Sequence, residues 1–133
     1  AQLLGNIFYE GAPLHDGAAI IRGDKIFAAG CVLPLTQNKN LNKSLGTRHR
    51  AGIGITENSD AIALIVSEET GIISMAIDGK LTRFLDAKTV EKTLLNLYLA
   101  GETAPQTGTL GKIRQKFSSK NGKKNTGGKN YAK

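Results

Sequence analysis

The apolar positions of this chain fall into short blocks that switch between helical and strand spacing. Leu3, Leu4, Ile7 and Phe8 recur at helical spacing within residues 2–9, and Gly11 and Pro13 end that helix. Ala18–Arg22 is a short apolar run of strand character. Gly23-Asp24 signals a tight turn, and Lys25–Ala29 is the returning strand of a hairpin, extended by Cys31-Val32-Leu33 and stopped by Pro34. Thr36–Ser44 is polar and rich in Asn and Lys, and reads as a surface loop.

A second helix opens at Thr47, with Ala51, Ile53 and Ile55 as its apolar positions. Gly52 and Gly54 weaken it, at ~1 kcal/mol each relative to Ala, and suggest close packing against another backbone. Ala61–Val66 is a continuous apolar run fit for a central strand covered on both faces. Glu69-Thr70-Gly71 turns the chain, Ile72–Ile77 pairs back, and Asp78-Gly79 closes the next turn. Asp86 caps a helix of about 14 residues whose apolar face is Val90, Leu94, Leu97 and Tyr98, and Gly101 is its stop. After Pro105 the composition shifts to Gly, Ser, Asn, Thr and Lys, interrupted by an Ile113–Phe117 patch. The element order predicts a single α/β domain with a central mixed sheet flanked by helices, over residues 1–103. Residues 104–133 read as a basic, largely disordered tail.

Charge changes the picture more than composition does. The 133 residues carry a net charge of +7, yet eight of the 18 basic residues and none of the 11 acids lie between Thr103 and Lys133. Residues 1–102 hold the other ten basic residues and all 11 acids, a net charge of −1. Any pull on nucleic acid or an anionic membrane therefore belongs to the tail. Trp is absent and aromatics are 5%, which argues against a single-strand binder built on stacking platforms. A lone cysteine, Cys31, excludes an intrachain disulfide and a thiolate metal knuckle, and a buried small apolar role suits it. No apolar run approaches the ~20 residues of a membrane span. The chain opens without Met in what reads as mid-helix, and is expected to be a piece of a longer protein.

Three segments carry candidate chemistry. Gly46-Thr47-Arg48-His49-Arg50 starts a helix, with Thr47 as the expected N-cap. Free N–H groups and the positive end of the dipole make such a turn an anion site. Helices favour acids there, so Arg48, His49 and Arg50 make the turn unfavourable until an anion arrives; the plain alternative is a solvated basic face. Leu14-His15-Asp16-Gly17-Ala18 precedes a strand. Asp16 could bind a divalent cation or help deprotonate a hydroxyl, His15 could favour Mn²⁺, and Gly17 and Ala18 let a ligand approach the backbone. The alternative is a loop acid capping a turn. Ser67-Glu68-Glu69-Thr70-Gly71 follows the most apolar strand, where ligands gather in α/β folds; its two carboxylates could supply a metal ligand or merely line a polar turn. No Walker loop, dinucleotide fingerprint or Ser-His-Asp set is present.

Together these segments resemble the diadenylate cyclase domain. The resemblance rests on Asp16-Gly17-Ala18, Arg48-His49-Arg50 and Ser67–Gly71 in that order, runs from about Gln2 to Gly101, and in its flanks is closer to the membrane-anchored A-type cyclases. It implies condensation of two ATP into cyclic di-AMP with release of two pyrophosphates. A divalent metal (Mn²⁺, Mg²⁺ or Co²⁺) assists, and each 3′-hydroxyl attacks the other ATP's α-phosphate across a face-to-face homodimer, with higher oligomers open. By the same resemblance Asp16, Arg48 and His49 are catalytic. His15, Asp16 and Glu69 hold the metal. Gly17, Ala18, Leu33, Thr47, Arg48, His49, Arg50, Ser67 and Glu68 contact substrate, with Arg50 alternatively supporting the fold or dimer face. The family has a strand and helix before the point where this chain begins. Its A-type members have transmembrane helices further upstream, which implies a cytoplasmic catalytic domain on a membrane-anchored protein and no specific nucleic acid. Two other readings remain open on the residues: a non-catalytic nucleotide-binding module, and a nucleic-acid or membrane-surface binder acting through the basic tail.

Overall fold

A computed structural model describes residues 1–103. The expectations for residues 104–133, the basic tail and its Ile113–Phe117 patch, lie outside the described residues. The chain runs α1 (Gln2–Ile7), β1 (Ala18–Arg22), β2 (Lys25–Cys31), α2 (Thr47–Glu57), β3 (Ile62–Val66), β4 (Ile73–Ile77), β5 (Lys80–Leu85) and α3 (Ala87–Thr103). The α/β class and the single domain stand. The strands divide into two sheets, β1-β2 and β3-β4-β5, and every described pairing is antiparallel.

The larger sheet is the middle layer of the core, and β4 is its central strand. Its side chains alternate between two faces, as strand geometry requires. Ala76 packs with Leu45, Ile53 and Ile65 on the α2 side. Met75 and Ile77 pack with Val90 and Leu97 of α3 on the other. The β3 run, expected to be central, is instead at an edge of the described sheet, with Leu64 47% and Val66 49% exposed. β5 was not foreseen: polar residues interrupt Lys80–Leu85, and no strict alternation marks it.

Both helices that cover this sheet show why their sequences suit the place. Gly52 and Gly54 of α2 do pack closely. A Cβ on Gly52 would stand 2.7 Å from Ile65 Cδ1, and one on Gly54 would stand 2.1 Å from the Pro34 carbonyl oxygen. At the far end of α2, Thr56 Oγ1 accepts a hydrogen bond from the Gly79 N–H at 3.1 Å. This ties the helix to the β4–β5 turn, whose Asp78 and Gly79 both have positive φ. For α3, Asp86 Oδ1 accepts the Thr89 N–H at 2.7 Å, as an N-cap should. The helix continues past Gly101 to Thr103. Its buried face is Val90, Thr93, Leu97 and Ala100, rotated from the expected stripe, and Leu94 and Tyr98 are exposed.

Candidate functional site

The first turn of α2 leaves its N–H groups without a side-chain cap. Its N-cap is Gly46, with extended backbone, and Thr47 is the first helical residue rather than the expected cap. No side chain caps the helix and no acid lies in its first turn. The N–H groups there are left to whatever anion approaches. Thr47 and Arg48 face solvent. The Arg48 guanidinium donates to Glu68, forming an exposed ion pair. This contact joins the α2 start to the loop after β3, two segments that sequence reasoning had placed at one site. Arg50 Nε donates to the Leu45 carbonyl at 3.5 Å, and its carbonyl accepts the Thr36 N–H at 3.1 Å.

His49 turns the other way. It is 6% exposed and lies against the sheet, with Nε2 3.3 Å from the hydroxyl of Ser74 in β4. Burial holds its pKa below the ordinary value, and the nearby Arg83 charge pushes in the same direction. The ring is thus neutral at neutral pH, and the turn presents Arg48 to solvent without a second cation from His49. Sequence reasoning counted His49 among the cations. Its helical spacing to the buried Gly52, Ile53 and Thr56 is the signal that marks it as inward-facing. Ser74 and Arg83 were missed. A serine inside the apolar Ile73–Ile77 strand was the available signal for the first.

His15, Asp16, Gly17 and Ala18 lie at the entrance to β1. His15 Nδ1 donates to the Ala12 carbonyl at 2.7 Å, so Nδ1 carries a proton. Asp16 is exposed and has no side-chain hydrogen bond among the described residues. Gly17, expected to let a ligand approach the backbone, is exposed, and its own fold leaves no room for a side chain there. At φ +105° a Cβ there would stand 2.7 Å from the Gly30 carbonyl carbon and 2.9 Å from the Cys31 oxygen. The segment therefore rests on the end of β2, two residues before the half-buried Leu33. Among the described residues no hydrogen bond or ion pair joins this group to the α2 start.

The loop after β3 is a closed turn. The Ser67 N–H donates to the Ile72 carbonyl at 3.0 Å, and the Gly71 N–H to the Ser67 carbonyl at 2.9 Å. Ser67 Oγ accepts the Thr70 N–H at 3.4 Å. Glu68 and Glu69 are exposed. Among the described residues no group of three or more His, Cys, Asp or Glu side chains is placed to hold a metal ion, so His15, Asp16 and Glu69 do not form one three-ligand cage. The donors at residues 15–16 still fit a divalent ion. His15 and the exposed Asp16 are neighbours in sequence and of types that bind divalent ions, and ions that act with phosphates commonly take only one or two protein ligands.

The family model described as DisA bacterial checkpoint controller nucleotide-binding matches residues 1–81. The chain belongs to this family. It is 50% identical over 95 residues to a diadenylate cyclase of Listeria monocytogenes, a match covering 71% of this chain and 35% of that protein. It is 48% identical over 94 residues to the cyclic di-AMP synthase CdaA of Bacillus subtilis, covering 71% and 34%. The chain thus spans about a third of the length of the curated relatives it matches. Among solved structures, a double mutant of DacA from Staphylococcus aureus is similar at TM-score 0.67 and 54% identity, covering 70% of this chain and 62% of that one. A hypothetical membrane spanning protein from Bacillus cereus is similar at TM-score 0.62 and 49% identity, covering 64% and 42%. The mixed α/β single domain is the fold these relatives share with the described residues.

Proposed function

We propose that residues 1–103 form the catalytic unit of a diadenylate cyclase, a nucleotidyltransferase that condenses two ATP into cyclic di-AMP and two pyrophosphates. The observation that carries this reading is the uncapped, acid-free first turn of α2, with Thr47 and Arg48 exposed on it. The names of relatives about 50% identical to the chain support the same chemistry.

In this reading the triphosphate settles on the N–H groups of the turn, and Arg48 leaves Glu68 for phosphate oxygens. Ser67 and Glu68 border the phosphates. Gly17, Ala18 and Leu33 border the nucleoside, although Gly17 does so through its backbone. His49 is catalytic only in the indirect sense that it seats the turn, and Arg50 steadies the loop behind it. Asp16 accepts the proton of a 3′-hydroxyl as that oxygen attacks the α-phosphorus of the other ATP, and pyrophosphate leaves. One domain supplies one half of this reaction, so two copies face each other, each presenting its ATP to the other. Positioning and charge stabilisation then account for most of the acceleration. A divalent ion (Mn²⁺, Mg²⁺ or Co²⁺), held by His15 and Asp16 with Glu69 contributing only if its loop approaches, would neutralise phosphate charge and lower the basicity of the attacking oxygen.

Among the described residues no helix is long and apolar enough to cross a membrane. We further propose that the full-length protein is anchored by a segment outside this sequence, with the catalytic unit on the cytoplasmic side. A solved relative described as membrane spanning supports this.

The test of Asp16 separates binding from chemistry. Asp16→Asn should retain ATP binding by calorimetry and lose cyclic di-AMP formation by at least roughly 100-fold, the scale of a lost general base. Full turnover in a folded Asp16→Asn protein would contradict the role given to it.

A further inference from the structure

We propose that Ser74 and Arg83 are positioning residues for the phosphate-binding turn, acting through the buried ring of His49. The inference rests on reading that turn as the triphosphate site, and it deepens that reading by saying what fixes the turn in place.

The first turn of α2 has little else to hold it. Thr47 and Arg48 point to solvent, and Arg50 is tied to the loop rather than to the sheet. One turn further on stands Gly52, with no side chain. His49 is therefore the first-turn side chain that reaches the sheet, and what it meets there is Ser74, 0% exposed, in the central strand. A fully buried hydroxyl in an apolar strand is costly unless it is hydrogen-bonded. Here its side-chain partner is His49 Nε2, so each buried polar group answers the other.

A bulge in the neighbouring strand brings Arg83 to the same place. β4 and β5 pair Ile73 with Leu85 and Met75 with Thr82, so Arg83 and Phe84 of β5 stand opposite the single residue Ser74. Phe84 has φ +61°, a strained conformation for a bulky residue. Bulges re-aim side chains and recur beside functional sites. The result is an Arg83 guanidinium that contacts the Phe84 ring at 5.1 Å, whose Nε is buried without a hydrogen bond, and whose charge acts on His49.

The charge has a clear mechanical effect. Burial and the nearby Arg83 charge both favour the neutral form of the His49 ring that faces the Ser74 hydroxyl. A protonated ring would repel Arg83 and lift the turn from the sheet. Of the strands packed against α2, β3 and β4 carry no titratable side chain, and β5 carries Lys80 and Arg83. On α2 itself Arg48 is drawn to Glu68 and Arg50 to the Leu45 carbonyl. Arg83 is the sheet cation whose charge acts on the ring.

The chain has two histidines, so their ring resonances can be followed separately by NMR, with His15→Gln assigning them. ATP affinity is measured in parallel by calorimetry with a non-reacting ATP analogue. Arg83→Gln should move the His49 titration up, though burial still holds it below its ordinary value, and weaken analogue binding roughly tenfold or more, as a displaced binding group does. Arg83→Lys, which keeps the charge, should restore most of both. Ser74→Ala removes one oxygen from a small side chain, should weaken analogue binding to a similar degree, and carries the test alone if Arg83→Gln does not fold. Folded variants that bind the analogue as tightly as the unchanged chain would overturn the inference and leave the proposed function standing. An unchanged chain that does not bind the analogue would overturn both.

Discussion

Gly54 has no room for a side chain. An added Cβ would overlap the Pro34 carbonyl and crowd the Thr36 N–H at 2.7 Å, and both atoms belong to backbone that cannot step aside. Gly54→Ala should therefore lower stability by about 1–3 kcal/mol, read as a shift in the urea midpoint. Arg48 lies at the opposite extreme. Its pair with Glu68 is exposed, and such pairs contribute about 0–1 kcal/mol. Arg48→Ala should leave the melting temperature nearly unchanged and weaken ATP binding roughly 10- to 100-fold, the value of a charged hydrogen bond. Unchanged affinity would remove Arg48 from the site. The two glycines were legible from sequence because glycine pairs inside a helix have few explanations other than close packing. The split between Arg48 and His49 was not. Three basic residues in succession look alike as charges, and only the burial of His49 against Ser74 separates them. That burial also makes stability pH-dependent. The folded state holds the ring neutral, so stability is whole above about pH 6.5, where the unfolded chain is neutral as well, and falls as pH drops through that value toward the lowered folded pKa. Replacing His49 with Gln should remove this part of the slope from a denaturation series between pH 5 and 7.5.

Among the elements, α3 depends most visibly on one local contact. Asp86 accepts the Thr89 N–H, and this hydrogen bond draws its pKa below the usual carboxylate value. The cap is present above the unfolded pKa and is lost as pH falls through the lower, folded one. Asp86→Ala should loosen the start of α3 at neutral pH, seen as faster amide exchange in its first turn, and should match the unchanged chain once Asp86 is protonated. Capping signals such as this one are local and were readable. So was the β1–β2 hairpin, whose Gly23-Asp24 turn joins Arg22 to Lys25 as the spacing implied. The strands of the larger sheet were harder. β3 has the apolar content of a central strand yet lies at an edge, because coverage depends on which strand pairs next and not on composition. β5 escaped notice because its bulge breaks alternation at Arg83–Phe84, the irregularity that brings Arg83 toward α2.

At the scale of the whole molecule, the described domain is close to neutral and the excess charge lies in the tail. Deleting residues 108–133 should leave cyclase turnover within about twofold and reduce any affinity for DNA or anionic vesicles, since salt-sensitive attraction of that kind follows the cations. The most direct test is a product assay with ATP and Mn²⁺ across a wide range of protein concentration, with nucleotides separated by chromatography. Cyclic di-AMP and two pyrophosphates per product are expected, with turnover per chain rising as concentration favours facing pairs. ATP bound but unchanged at every concentration would contradict the proposed function.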